Sequence, residues 1–205
     1  MNFLAHIYLA GNDDGLIIGN FIADMVKGKD YQNYPEDIQK GILLHRQIDT
    51  FTDNHPVWRK TKRRILEEQG KYSGVVVDLY YDHFLAKEWQ RFSKEKLEAF
   101  VCRNYRLIIK NYRILPNRAR FILPFMVRQN WLVNYANLEP LSLIFDRMDR
   151  RTAYRSGMKT SVATLQKYYP EIKSDFYKFM PDIIDYVNSI EDESQRPMFL
   201  AKSKS

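Results

Sequence analysis

All four histidines of this chain fall in its first 83 residues: His6, His45, His55 and His83. Asp24, Asp49, Asp53, Asp78 and Asp82 lie among them. Imidazoles and carboxylates together can bind a divalent cation or move protons. His45, Asp49 and Asp53 are spaced i, i+4, i+8, so on a helix they form one stripe. Leu43, Leu44, Ile48 and Phe51 point in other directions from the same segment, which predicts a helix enclosed on most sides. Polar groups so enclosed need partners. A divalent metal is one answer, and a hydrogen-bonded His–Asp pair is the other. Asp78 and Asp82 share a second face, with His83 about 100° further round. Asn20 and Asp24 sit one turn apart in an otherwise apolar segment, and His6 joins them only if the N-terminal segment packs nearby.

Three helices presenting His or Asp inward is how helical bundles build metal sites. Spacing by itself does not name the reaction. The sequence contains no HExxH, CxxC, P-loop or GxSxG pattern. Its one cysteine, Cys102, lies outside the acidic and histidine-rich region, which argues against a thiol nucleophile and leaves no internal disulfide.

The elements that must carry these residues read as helices throughout. Apolar residues Leu16, Ile17, Phe21 and Met25 predict a helix over 15–27, closed by Gly28. Pro35 opens a second helix, which runs to about Asp53 and ends before Pro56. A third is expected over 57–69 and a fourth over 73–92. In the fourth, helical periodicity through Val76, Leu79, Tyr80 and Phe84 overrides the β-branched run Val75-Val76-Val77. Further helices are expected at 95–112, 117–136, 139–150, 158–167 and 171–190, the last kinked or split at Pro181. There is no alternating strand, hairpin signal or repeat. The expectation is an all-α, single-domain helical bundle over 1–192, with a polar, frayed tail over 193–205.

The 205 residues have 45% apolar and 28% charged composition, as in globular domains, and carry a net charge of +7. Residues 91–155 contain 14 Lys+Arg against 5 Asp+Glu, a local excess of 14 − 5 = +9. Such a block favours an acidic partner or nucleic acid, or is simply a solvated face. Arg103, Arg106, Lys110 and Arg113 recur on a single helical face within it. No apolar run reaches the roughly 20 residues a bilayer span needs. The lone cysteine and the absence of a basic, apolar leader predict a cytoplasmic protein.

The segments Met1-Asn2-Phe3-Leu4-Ala5-His6, Gly19-Asn20-Phe21-Ile22-Ala23-Asp24 with Gly28, His45-Arg46-Gln47-Ile48-Asp49 with Thr52-Asp53, and Asp82-His83-Phe84-Leu85 together resemble the acyl carrier protein phosphodiesterases. Gln129-Asn130-Trp131-Leu132 is similar as well. The resemblance implies an α-helical fold distantly related to HD-type phosphohydrolases. It implies hydrolysis of the phosphodiester between 4′-phosphopantetheine and the serine of holo-acyl carrier protein, with a divalent metal, usually manganese. Carried over by position, Asp24, His45, Asp49, Asp82 and His83 become the expected metal ligands. His6, Arg46 and Asp53 become catalytic candidates, with Arg46 bracing the phosphate. Asn20 is a substrate-binding candidate, and His55 is accessory. The adjacent His-Asp pair of the wider superfamily is absent, the order here being Asp82-His83. Acyl carrier proteins are small and acidic, so the face of Arg103, Arg106, Lys110 and Arg113 becomes a candidate docking surface. The alternatives are the same chemistry on a nucleotide or other small phosphodiester, and a non-enzymatic basic module that binds nucleic acid.

Overall fold

The computed structural model describes residues 1–151 and 156–190. Among them the chain is helical with no strand: α1 (Phe3–Leu9), α2 (Asp14–Ile22), α3 (Glu36–Asn54), α4 (Pro56–Arg64), α5 (Leu66–Gln69), α6 (Ser73–Lys87), α7 (Leu97–Lys110), α8 (Asn117–Arg128), α9 (Trp131–Asn134), α10 (Leu138–Arg151), α11 (Ser161–Lys167) and α12 (Tyr169–Asn188). The expected all-α architecture is present. The tail over 193–205 lies outside the described residues. No described helix is long and apolar enough to cross a membrane.

Several boundaries differ from the sequence reading, each for a local reason. The helix expected over 15–27 ends at Ile22 and tightens into a single turn, Ala23–Met25, before Gly28 takes a left-handed φ of 47°. The segment 57–69 is two helices, broken at Ile65. The segment 117–136 breaks at Asn130, whose φ of 46° ends one helix and starts the next, a conformation asparagine tolerates better than most residues. α6 stops at Lys87, short of Phe92, and the last helix runs unbroken through Pro181. α1 was not foreseen as a helix. Its first amides are capped from a distance: Asp82 on α6 accepts from Leu4 N–H at 2.8 Å and from Ala5 N–H at 3.2 Å. A buried carboxylate at a helix N-terminus satisfies otherwise orphaned donors.

α2 lies against α3 at unusually close range. A methyl group on Gly19 would come within 2.4 Å of the Ile38 carbonyl oxygen and 2.6 Å of Gly41 Cα. One on Gly41 would meet Leu16 O at 2.6 Å. Interaxial distance depends on the side chains at the contact, and here there are none. Ile17, Phe21, Ile38, Ile42 and Ile48 close the seam around this point and are fully or almost fully buried.

His83 belongs to the packing of this bundle. Its Nδ1–H donates to the Tyr135 carbonyl at 2.8 Å, and Nε2 accepts from the Tyr169 hydroxyl at 3.0 Å. The ring is fully buried and holds α6 to the end of α9 and the start of α12. Burial keeps it neutral and pulls its pKa down to about 4.

Two outcomes follow from this packing. Gly41→Ala forces two backbones apart and should destabilise the protein by about 1–3 kcal/mol or more, read as a lowered denaturation midpoint. For His83, the unfolded chain takes up a proton near pH 6.5 and the folded chain only near 4. The folded state therefore loses stability as pH falls through that window. Asp82 acts in the opposite sense, since burial pushes its carboxyl up to about 7. The measurement is thus the difference between wild type and His83→Gln: the loss of stability from pH 7 to pH 5 should be smaller in the variant, by urea denaturation at each pH.

Candidate functional site

The close crossing of α2 and α3 places Asn20 and His45 side by side, and the capped α1 brings His6 onto them. The two imidazoles stack with centroids 3.7 Å apart. Asn20 orients both. Its side-chain oxygen faces His6 Nδ1 at 3.3 Å, and its backbone carbonyl faces His45 Nδ1 at 2.9 Å. The amide cannot turn over without losing the bond from its nitrogen to the Leu16 carbonyl, 3.1 Å.

The other nitrogens converge on carboxylates. His6 Nε2 lies 3.1 Å from Asp49 Oδ1. His45 Nε2 lies 3.1 Å from Asp49 Oδ2 and 3.3 Å from Asp24 Oδ1. One ligand atom from each of His6, His45 and Asp49 fits within a 4.8 Å cluster. Asp24 joins at the rim, its side chain mostly exposed.

For His45, burial opposes the charged form, but hydrogen bonds to Asp24 and Asp49 outweigh it and raise the pKa to about 9. For His6, burial and the stacked His45 cation hold it down to about 4. Asp49 is partly exposed, and although its partial burial opposes the charged form, it resists protonation because His45 and His6 both hydrogen-bond to it. The hydrogen bond from His45 also lowers Asp24. Neutral His6 has one proton for two acceptors, Asn20 Oδ1 and Asp49 Oδ1. Wherever the proton sits, one of these contacts is left lone pair against lone pair. A cation between the Nε2 atoms and the carboxylates resolves this, with both Nδ1–H groups donating to Asn20. That is the usual tautomer of a metal-binding histidine with an oriented outer nitrogen. The donor set of imidazole nitrogen and carboxylate oxygen suits a divalent ion.

The cluster opens into a cavity of about 780 Å³. His6, Asn20, Asp24 and His45 line one end. α8, α9 and α10 also line the cavity, with Phe121, Phe125, Trp131 and Met148. The cationic side chains in the lining are Arg118 and Arg147. Gln129 bridges these parts by accepting from both Trp131 Nε1 and Arg147. Asp78 also faces the cavity, held by Trp58 Nε1 at 3.1 Å and lying 3.2 Å from the Met1 amine.

Of the sequence candidates, the structure brings together His6, Asn20, Asp24, His45 and Asp49. It does not bring Asp82 or His83 to the cluster: both are committed to the bonds that seat α1 and α6. Arg46 does not line the cavity. It donates to the Val26 carbonyl at 3.1 Å and stacks on Tyr31, bracing the turn that carries Asp24. Asp53 is exposed and stands one turn beyond Asp49, outside the cavity lining. His55 pairs with Asp182 at 3.2 Å, away from the other histidines. None of Arg103, Arg106, Lys110 and Arg113 lines the cavity, and Arg103 pairs with Glu95 at 3.0 Å. Asn20, expected as a substrate contact, lines the cavity and also hydrogen-bonds both imidazoles. Arg118, Arg147 and the aromatic wall were missed. Their only signal was membership of the basic block and the Gln129-Asn130-Trp131-Leu132 segment.

The family model for acyl carrier protein phosphodiesterase matches residues 1–183. The chain is 30% identical over 186 residues to the acyl carrier protein phosphodiesterase of Photorhabdus laumondii, covering 90% of this chain and 94% of that one. It is 29% identical over 182 residues to the protein of that name from Shigella boydii (88% and 94% covered), and 28% identical over 186 residues to that from Escherichia coli O6:H1 (90% and 96%). No solved structure matches the chain.

Asn20→Ala removes both the side-chain acceptor of His6 and the lock on its own amide. Outer-shell changes of this kind cost about 10–100-fold in metal affinity. That loss, with an unchanged circular dichroism spectrum, is the expected result of titrating Mn²⁺ into the variant by calorimetry.

Proposed function

The chain belongs to the acyl carrier protein phosphodiesterase family, and on that premise we propose that the cluster of His6, Asp24, His45 and Asp49 is its hydrolytic centre. The reaction is hydrolysis of holo-acyl carrier protein. Water adds to phosphorus, the bond to the serine oxygen breaks, and that oxygen takes a proton, leaving the apo carrier and free 4′-phosphopantetheine. The observation that carries the site assignment is the convergence of ligand atoms from His6, His45 and Asp49 within 4.8 Å of one another, with both histidines lining the cavity.

His6, His45 and Asp49 would hold a divalent cation, with Asp24 completing the set from the turn after α2. Manganese is the ion we propose. A bound cation supplies the charge that polarises phosphoryl oxygens and acidifies water. The remaining work falls to the chain. Asn20 keeps both imidazoles facing the cavity. Asp49 spans the two histidines and holds them in register. Asp24, exposed at the rim, is placed to accept a proton from attacking water. Arg118 and Arg147 give the cavity a positive wall for an anionic arm. The apolar surface between them and the cluster excludes bulk water from the path of the arm. The exposed thiol of Cys102 fits a reducing cytoplasm, where we place the reaction.

The test is incubation with holo-acyl carrier protein, with and without Mn²⁺, following the carrier by mass spectrometry. Wild type should remove the mass of the phosphopantetheine arm only with metal. His45→Ala and Asp49→Asn should abolish the loss while remaining folded. Metal-independent loss would overturn the role of the cluster. Absence of loss in a metal-loaded protein would move the chemistry to another phosphodiester.

A further inference from the structure

From Ala99 to Leu138 the chain contains 7 Lys+Arg and no Asp or Glu. This stretch includes α8, and α8 has an outer face of unusual composition. Arg118, Phe121, Pro124, Phe125 and Arg128 follow one another at i, i+3, i+6, i+7 and i+10, which is one side of a helix. All five are exposed, Phe121 to 68% and Phe125 to 47%. The phenylalanine rings touch each other, with centroids 5.7 Å apart. The adjoining α10 adds Leu143, 55% exposed, and one turn later the exposed Arg147. Two neighbouring exposed phenylalanines are an unfavourable solvent surface unless something covers them.

Position connects this face to the site. Arg118, Phe121, Phe125 and Arg147 also line the cavity that ends at His6 and His45. A partner seated on α8 therefore touches residues that also line that cavity. The face where Arg103, Arg106, Lys110 and Arg113 recur contributes nothing to the lining.

We propose that the exposed face of α8, with Phe121 and Phe125 at its centre and Arg118, Arg128 and Arg147 around them, is the docking surface for the acidic carrier. This rests on the reading given under Proposed function and adds where the carrier sits. Aromatic centres with arginine are the composition of interface hot spots. Arg118 and Arg128 are ten residues apart, about 15 Å along the helix. They match a partner element with an apolar middle and acidic groups toward both ends. A second copy of this chain fits badly, because a two-fold contact would set the arginines of α8 against each other, and α8 carries no acid. A carrier docked here with its serine turned toward Asp24 and the histidines sets the phosphodiester beside them, since phosphorus is bonded directly to the serine oxygen, and the arm beyond it lies along the aromatic lining.

The test measures binding apart from turnover. Labelled apo-acyl carrier protein is titrated with wild type, with Phe121→Glu/Phe125→Glu and with Arg118→Glu/Arg128→Glu, following anisotropy. Thermal melts check the fold, and sedimentation checks the oligomeric state. Both double variants should weaken binding at least tenfold, and the arginine variant should also flatten its dependence on salt. In turnover of holo-acyl carrier protein, KM should rise by a similar factor. If the aromatic variant does not fold, the arginine variant decides. Unchanged affinity in a folded variant overturns the proposal. So does a wild-type dimer that the aromatic variant dissolves, since the face would then join copies of this chain. If wild type binds the carrier through this face but never removes the arm, the docking surface stands and the assigned reaction falls.

Discussion

Where Gly19 faces Gly41, two helix backbones touch, and the geometry of the site depends on that contact. Any side chain there would separate α2 from α3 by more than the tolerance of a hydrogen bond. With both positions bare, the Asn20 carbonyl reaches His45 at 2.9 Å and Asp24 comes within reach of the same imidazole. The apolar residues around the crossing hold it shut. The chemistry is thus positioned by backbone contact, which is stiffer than contact through long side chains.

A second constraint completes the first. His6 is useful only if α1 ends in one place, and a helix of seven residues has little stability of its own. Asp82 supplies what it lacks by accepting two of its first amides. One buried carboxylate thus fixes a helix, and the helix fixes a histidine over its partner. Asp82 and His83 read in sequence like ligands because ligands and structural tethers use the same residue types. What separates them is which groups already satisfy them, and that is visible only in three dimensions.

The molecule divides its labour along the cavity. α1, α2 and α3 supply nitrogen and carboxylate donors. α8, α9 and α10 supply aromatic surface and arginine. The first group carries the acids of the chain's early part, and the second lies in or beside its basic block. The cavity lining thus joins imidazole and carboxylate groups to aromatic surface and arginine. The left-handed turn at Asn130 helps build that lining, since it breaks what would have been one long helix and lets Gln129 and Trp131 both face inward.

The helical class of this chain, the extent of α3, and the membership of His45, Asp49, Asn20 and Asp24 in one site are all legible in the sequence. They follow from local rules, the 3.6-residue period and the effects of proline and glycine, and from motifs that keep their spacing. The breaks at Ile65 and Asn130, the helical state of the first residues and the fate of Asp82, His83, Arg46 and Asp53 are not legible there. For three of these side chains a partner far away in the chain decides: Leu4 for Asp82, Tyr135 and Tyr169 for His83, Val26 for Arg46. Periodicity tells which side of a helix a residue occupies. Only packing tells what stands opposite, and for a histidine or an aspartate that difference separates a tether from a ligand.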